Sequence, residues 1–259
     1  MKSQIHLVQL NIKWRNKQSN FNTVQELLEG LDLQNGLIVL PEMFATGFDV
    51  EYGGVAEGQD GQLEETDAFL KELAIQTQCY VQGSGISYDP VYKKRQNIVR
   101  VFNPAGESIL TYQKTYPFSF GGEHRRFSSG PGAAIFDFNG ILVAPIICYD
   151  LRFPELFREA IDLGAELFTV VANWPTPRQF HWRPLLQARA IENQAMVIGV
   201  NRCGRDEFLT YEGQTVGFDE YGREINSLGK KEGVLSMDVD IEKIRKWRAE
   251  FPALNDRKN

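Results

Sequence analysis

The stretch IFDFNGILVAPIICYDLRFPEL, Ile135 to Leu156, joins two apolar runs through Asn139-Gly140 and ends in a run of mixed reactive side chains. Asn-Gly suits a two-residue type I′ turn, which needs φ > 0 at both central positions, so Ile135–Phe138 and Ile141–Ile147 are predicted to form a hairpin. Ile141–Ile147 is apolar throughout, the pattern of a strand covered on both faces. Beyond Cys148 the pattern predicts a helix over Pro154–Leu163 and a second buried strand over Leu167–Val171. Strand, helix and strand in that order belong to an α/β fold.

The same alternation continues on both sides. Toward the N-terminus it predicts strands at Ile5–Ile12, at the wholly apolar Leu37–Leu40 and at Tyr80–Ile86. Helices fall at Asn22–Leu28, with Asn20 or Asn22 as cap, and at Thr66–Gln78, where Phe69, Leu70, Leu73 and Ala74 share one face. Ile98–Phe102 and Ser108–Tyr112 flank the turn Asn103-Pro104-Ala105-Gly106 as a second hairpin. Toward the C-terminus come a helix at Trp182–Asn193, strands at Met196–Val200, Gln214–Phe218, Glu224–Ser227 and Val234–Val239, and a closing helix at Ile241–Trp247. Only Ser119–Gly132 is dense in Pro, Gly and Ser, and it reads as a loop. The expectation is one α/β domain over residues 1–259.

Composition narrows the function. The 259 residues carry 28 Lys and Arg against 34 Asp and Glu, a formal net charge of −6. With no long Lys/Arg cluster, such a chain is not expected to bind nucleic acid. No apolar run approaches the roughly 20 residues that span a bilayer, and the first residues lack a signal peptide's apolar stretch, so a cytoplasmic protein without membrane contact is expected. Cys79, Cys148 and Cys203 form no Cys-x-x-Cys pair, and His6, His124 and His181 are far apart. Neither a disulfide framework nor a metal site fits, and no cofactor is implied.

Three predicted strands end at reactive side chains: Glu42 after Leu37–Leu40, Lys114 after Ser108–Tyr112, and Cys148 after Ile141–Ile147. The carboxyl ends of strands are where α/β folds bind ligands. Taken singly, such a Glu is ordinarily solvated or a cap, such a Lys an edge charge, and such a Cys a small core hydrophobe. Their joint occurrence points to chemistry. Cys79 and Cys203 lack that context and read as structural thiols, and no sequence context supports pairing Cys148 with His124 or His181 as in thiol proteases.

Pro41-Glu42-Met43, Tyr112-Gln113-Lys114 and Cys148-Tyr149-Asp150-Leu151-Arg152-Phe153-Pro154-Glu155, separated by 72 and 34 residues from Glu42 to Lys114 to Cys148, closely resemble the nitrilase superfamily of carbon–nitrogen hydrolases. The resemblance covers nearly the whole chain. It implies a four-layer α-β-β-α sandwich, commonly a homodimer. Ala172-Asn173-Trp174-Pro175 with Arg178, His181 and Trp182, and Ala188–Gln194, resemble the bacterial ω-amidase branch, whose members hydrolyse the terminal amide of 2-oxo dicarboxylic acid monoamides such as 2-oxoglutaramate and 2-oxosuccinamate. Other amidases of the superfamily, such as those acting on deaminated peptide-like amides, N-carbamoyl hydrolases and nitrilases are the alternatives, and a non-catalytic scaffold is a remote one.

The resemblance assigns Cys148 as nucleophile, Lys114 as the cation that lowers the thiol pKa and meets the oxyanion, Glu42 as general base and acid, and Glu123 as a supporting carboxylate. The carboxylate of such a substrate suits the planar fork of arginine; Arg178 is the first candidate and Arg202 the second. Phe44, Tyr116, Phe118, Tyr149, Trp174 and His181 are candidate pocket walls, with His181 alternatively capping the Trp182–Asn193 helix. Asp150 and Arg152 are expected to form an ion pair that fixes the turn bearing Cys148. Phe157, Phe180 and Trp182 would suit a dimer face.

Overall fold

The computed structural model describes residues 2–33, 35–51, 65–89 and 91–258. In chain order they form β1 (Lys2–Gln9), α1 (Lys17–Leu28), β2 (Leu37–Val39), α2 (Glu65–Thr77), β3 (Tyr80–Asp89), β4 (Lys94–Phe102), β5 (Ser108–Gln113), α3 (Glu123–Arg126), β6 (Phe136–Phe138) and β7 (Ile141–Ile147). A 3-10 turn at Cys148–Arg152 leads to α4 (Pro154–Asp162), β8 (Leu167–Ala172), α5 (Gln179–Asn193) and β9 (Met196–Asn201). Then come β10 (Cys203–Arg205), β11 (Thr210–Glu212), β12 (Val216–Phe218), β13 (Glu224–Ser227), β14 (Gly233–Asp240) and α6 (Ile241–Glu250).

Two six-stranded sheets result, ordered β14-β1-β2-β3-β4-β5 and β13-β12-β9-β8-β7-β6. Each has three parallel strands at its centre and antiparallel strands outside them. The period of two along the strands sets the layers. Leu37 and Val39 share a buried cluster with Val143, Ile147 and Val171 of the second sheet, whereas Ile38 and Leu40 pack with Phe21, Val24 and Leu28 of α1 and Leu70 and Leu73 of α2. On β8, Thr169 faces the first sheet and donates its hydroxyl to Gln82 Oε1 at 2.7 Å. Phe168 points the other way, its ring 4.8 Å from that of Phe157 on α4. The order is helices, sheet, sheet, helices, the α-β-β-α sandwich.

Asn139 and Gly140 take φ of 53° and 83°, as the type I′ turn requires. Most expected elements are present with ends moved by a few residues. The first helix begins earlier, at Lys17, and its cap is Asn16, whose side chain accepts from Ser19 N at 3.0 Å. Asn20 is instead buried, donating to the carbonyls of Lys13 and Ala45. Gln214 does not join β12 because Gly213 and Gln214 both have positive φ, 65° and 61°. The hairpin β10–β11 was not expected: its strands are three residues each and mostly polar, too short to show a period. No described helix is long and apolar enough to cross a membrane.

Glycines let the helices rest directly on the sheets. A Cβ on Gly199 of β9 would lie 2.5 Å from Leu186 and 2.7 Å from Trp182 of α5. Gly199→Val is therefore expected to destabilise the protein by about 1–3 kcal/mol through overpacking, read as a lower urea midpoint. Gly229→Ala, which meets nothing within 4 Å, serves as the control that leaves the midpoint in place.

Candidate active site

Four strand ends converge. Glu42 follows β2 in a turn where Met43 takes φ 46° and donates its N–H to Ser84 Oγ on β3. Lys114 follows β5, its N–H bonded to Asn97 O and its carbonyl to Gly130 N, both at 2.8 Å. Asn173 follows β8. Cys148 follows β7 with φ 47°, a left-handed conformation that costs a non-glycine residue about 1 kcal/mol or more. Asp150 holds that bend. Its Oδ2 accepts from Tyr112 Oη at 2.7 Å and from Ile147 N at 3.3 Å, and its Oδ1 accepts from Tyr116 N at 2.8 Å. The turn carrying Cys148 is thereby tied to residues on either side of Lys114.

Lys114, 1% exposed, lies between two carboxylates that are fully buried. Its Nζ donates to Glu42 Oε1 at 3.0 Å and to Glu123 Oε2 at 2.9 Å. Asn97 Nδ2 donates to both acids, at 2.8 Å to Glu42 Oε1 and 2.9 Å to Glu123 Oε1. Glu42 Oε2 accepts from Asn173 N at 2.8 Å, and Glu123 Oε2 from Phe118 N. Each carboxylate oxygen therefore has a donor, as buried charge requires.

Burial pushes the Glu42 carboxyl up, but Lys114, the Asn173 N–H and Asn97 together hold it below the usual carboxylate range. Lys114 moves upward: burial opposes its charge, and the two glutamates outweigh burial. Cys148 differs from the sequence expectation. Burial, then the neighbouring Glu42 carboxylate, push its thiol well above the ordinary value, and Lys114 only partly offsets them. One ammonium beside two carboxylates leaves the cluster negative, which disfavours a resting thiolate. The Glu42 carboxylate neighbours the thiol and lines the same cavity.

Above the cluster opens a cavity lined by Glu42, Lys114, Cys148 and Asn173 and walled chiefly by Phe48, Phe118, Tyr149, Trp174, Leu209 and Tyr211. Arg152 and Arg178 also line it. The Arg152 guanidinium lies 4.7 Å from the Trp174 ring centre and that of Arg178 5.2 Å from Phe118. Among the described residues neither arginine has a carboxylate partner. The same residues include no group of three His, Cys, Asp or Glu side chains that could hold a metal ion.

Several expectations need correction. Phe44 is buried against Phe21 and Phe69 in the core beneath α1 and α2, not in the cavity. Tyr116 stacks on Phe153 at 3.8 Å outside the lining. His181 is exposed within α5 and meets Arg152 Nη2 at 3.3 Å; it neither lines the cavity nor caps the helix. Arg202 is fully buried behind the wall, 4.2 Å over the Tyr211 ring and bonded to Ile12 O. No ion pair joins Asp150 to Arg152, because backbone N–H groups and Tyr112 occupy the acid. Sequence reading missed the roles of Asn97, Asn173, Phe48 and Tyr211. A polar Asn97 beside the apolar Ile98–Phe102 run was the one available signal.

The carbon-nitrogen hydrolase family model matches residues 4–249. This chain belongs to that family. It is 35% identical over 256 residues, 98% of this chain and 96% of the relative, to an omega-amidase, YafV, of Yersinia enterocolitica. It is 29% identical over 259 residues, 99% and 98% of the two chains, to a 2-oxoglutaramate amidase of Bacillus subtilis strain 168. Among solved structures, XC1258 from Xanthomonas campestris, a CN-hydrolase superfamily protein with an arsenic adduct in its active site, superposes with a TM-score of 0.92 at 32% identity, covering 100% of this chain and 98% of its own. Saccharomyces cerevisiae Nit3, of branch 10 of the nitrilase superfamily, gives 0.85 at 25% identity over 97% and 94%. The carbon–nitrogen hydrolase is thus matched along almost its whole length.

Burial pushes the Asp150 carboxyl up to about 7, with Lys114 and its three donors acting against burial. A carboxyl raised above its unfolded value of 3.8 contributes stability below that value, and loses it as pH rises to the folded value. Relative to Asp150→Asn, the wild type is expected to lose stability between about pH 4 and 7, by at most about 1.4 kcal/mol per pH unit, and to level off above. Urea unfolding of both proteins at pH 5, 6, 7 and 8 measures it.

Proposed function

We propose that the enzyme is an ω-amidase, hydrolysing the terminal amide of small 2-oxo dicarboxylic acid monoamides such as 2-oxoglutaramate and 2-oxosuccinamate. The observation that carries this reading is a thiol and a buried Glu–Lys–Glu cluster at the floor of a cavity whose aromatic walls hold two arginines without carboxylate partners among the described residues. The names of the relatives from Yersinia and Bacillus agree with it.

In this mechanism Glu42 takes the Cys148 proton as Sγ attacks the amide carbon. The carbonyl electrons move to oxygen, where Lys114 Nζ and the backbone N–H following Cys148 meet the new charge. Collapse breaks the C–N bond, and Glu42 returns the proton to nitrogen, which leaves as ammonia. Water then attacks the thioester, giving its proton to Glu42. Collapse of the second intermediate releases the 2-oxo acid, and the proton returns to sulfur. Glu123 keeps Lys114 charged and in place. Arg178 and Arg152 bind the distal carboxylate and 2-oxo group, for which guanidinium forks are suited, and Phe118, Tyr149 and Trp174 exclude water around the chain.

The partner reading extends to a homodimer in the cytoplasm, where the three free thiols suit a reducing compartment. Phe157 and Trp182, expected at the dimer face, are instead buried in the chain's own core. An apolar surface nearby remains: Ile191 beside Gly222, and Tyr221, Trp247 and Phe251 stacked in series, with Ile191 and Phe251 more than half exposed. Light scattering is expected to give twice the chain mass, reduced toward the single-chain value by Phe251→Glu.

Ammonia release from 2-oxoglutaramate tests the activity. Wild type is expected to release it and Cys148→Ala to release none; release by both would remove Cys148 as nucleophile. Arg178→Ala and Arg152→Ala are each expected to raise KM about tenfold or more, the loss of one charge-assisted contact. An unchanged KM in both would place the carboxylate elsewhere.

A further inference from the structure

Asn173 is the cavity residue whose polar atoms are only partly used. It is 7% exposed and lines the cavity. Its backbone N–H donates to Glu42 Oε2, while Nδ2 donates to Glu42 O at 2.6 Å and lies 3.4 Å from Oε2. Both atoms facing Nδ2 are acceptors, so the carboxamide cannot be turned over. Oδ1 is buried and has no hydrogen-bond partner among the described residues. Asn97 provides the contrast. Its Oδ1 is also without a partner, but Asn97 does not line the cavity.

Two of the cavity's donors are committed elsewhere. Lys114 Nζ serves the two glutamates, and Trp174 Nε1 donates to Arg178 O at 2.7 Å. A buried carbonyl oxygen without a donor is costly, and an arriving donor relieves that cost. A primary carboxamide brings two N–H groups to a site where the thiol, Glu42 and Lys114 claim its carbon and oxygen. We propose that Asn173 Oδ1 accepts a hydrogen bond from the nitrogen of the scissile carboxamide and so favours amides over isosteres that lack an N–H. This inference rests on the amidase reading of the Cys148 site.

The contact also serves the reaction. When the tetrahedral intermediate collapses, nitrogen keeps the C–N electron pair and takes the proton from Glu42, while Asn173 exchanges no proton. As that proton arrives the N–H donors become stronger, so the bond to Oδ1 tightens along the path to ammonia. Asn173 thus joins two tasks in one side chain: Nδ2 and the backbone N–H orient the base, and Oδ1 holds the leaving group.

Binding to an inactive protein separates these tasks. The amide is chosen as the one wild type turns over fastest among 2-oxoglutaramate, succinamate and propionamide, and it is paired with its methyl-ketone isostere, which lacks N–H groups. Calorimetric Kd values are measured for both ligands with Cys148→Ala, Cys148→Ala/Asn173→Ala and Cys148→Ala/Asn173→Ser. Cys148→Ala is expected to prefer the amide by about tenfold, the size of one buried hydrogen bond, and both double variants to lose that preference while still binding the ketone. A preference that survives in either folded double variant overturns the proposal and makes Glu42 or the backbone the acceptor. Because turnover selects the acyl chain, failure of the 2-oxo acid reading changes the ligand used and leaves this ratio as the test.

Discussion

One ammonium group buried between two carboxylates governs this structure. Lys114, Glu42 and Glu123 are almost wholly removed from water, and removing Lys114 would leave two buried carboxylates uncompensated at a cost of about 3–5 kcal/mol. The three groups carry a net negative charge, so they also need neutral donors. Asn97 comes from the middle of β4, the Asn173 N–H from the end of β8, and the Phe118 N–H from the loop after Lys114. Two sheets must face each other in one register for these donors to meet. Stability and chemistry therefore share the same contacts.

That electrostatic arrangement sets the state of the Cys148 thiol. A lone lysine beside a cysteine would favour thiolate, but here each cationic contribution is matched by an anionic one, and burial acts against the thiolate as well. The thiol is held protonated beside Glu42, and in the proposed mechanism Glu42 takes that proton only as the substrate is attacked. The left-handed bend at Cys148 lifts the sulfur off the end of β7. Asp150 keeps the bend by accepting from Ile147 within the turn and from Tyr112 and Tyr116 beside Lys114. Cys148 and Lys114 are thus positioned by one carboxyl group.

Local patterns were legible wherever a strong physical preference acted on a few residues. Asn139-Gly140 permits two positive φ values, and Leu37–Leu40 alternates between two cores and so reads as apolar throughout. Where competing choices were nearly equal, reading failed. Asn16, Asn20 and Asn22 are all good caps, and only the packing of Asn20 onto Lys13 and Ala45 selects Asn16. Phe44 beside Glu42 looked like a pocket wall, yet a turn at Met43 sends the two side chains to different layers. Arg178 and Arg202 looked alike as strand-end cations; one reaches the cavity and the other supports its wall from behind.

The sequence by itself determined the alternation of strands and helices, the family, and the positions of Glu42, Lys114, Glu123 and Cys148, because motif words and apolar periods are properties of contiguous residues. Tertiary structure alone decided which polar groups meet. Asn97 lies 55 residues from Glu42 and Asn173 lies 131 away; nothing local in the chain marks either as a partner of that base. Burial likewise depends on what packs above a residue, so the balance between desolvation and charge at Cys148 and Asp150 exists only once both sheets have closed.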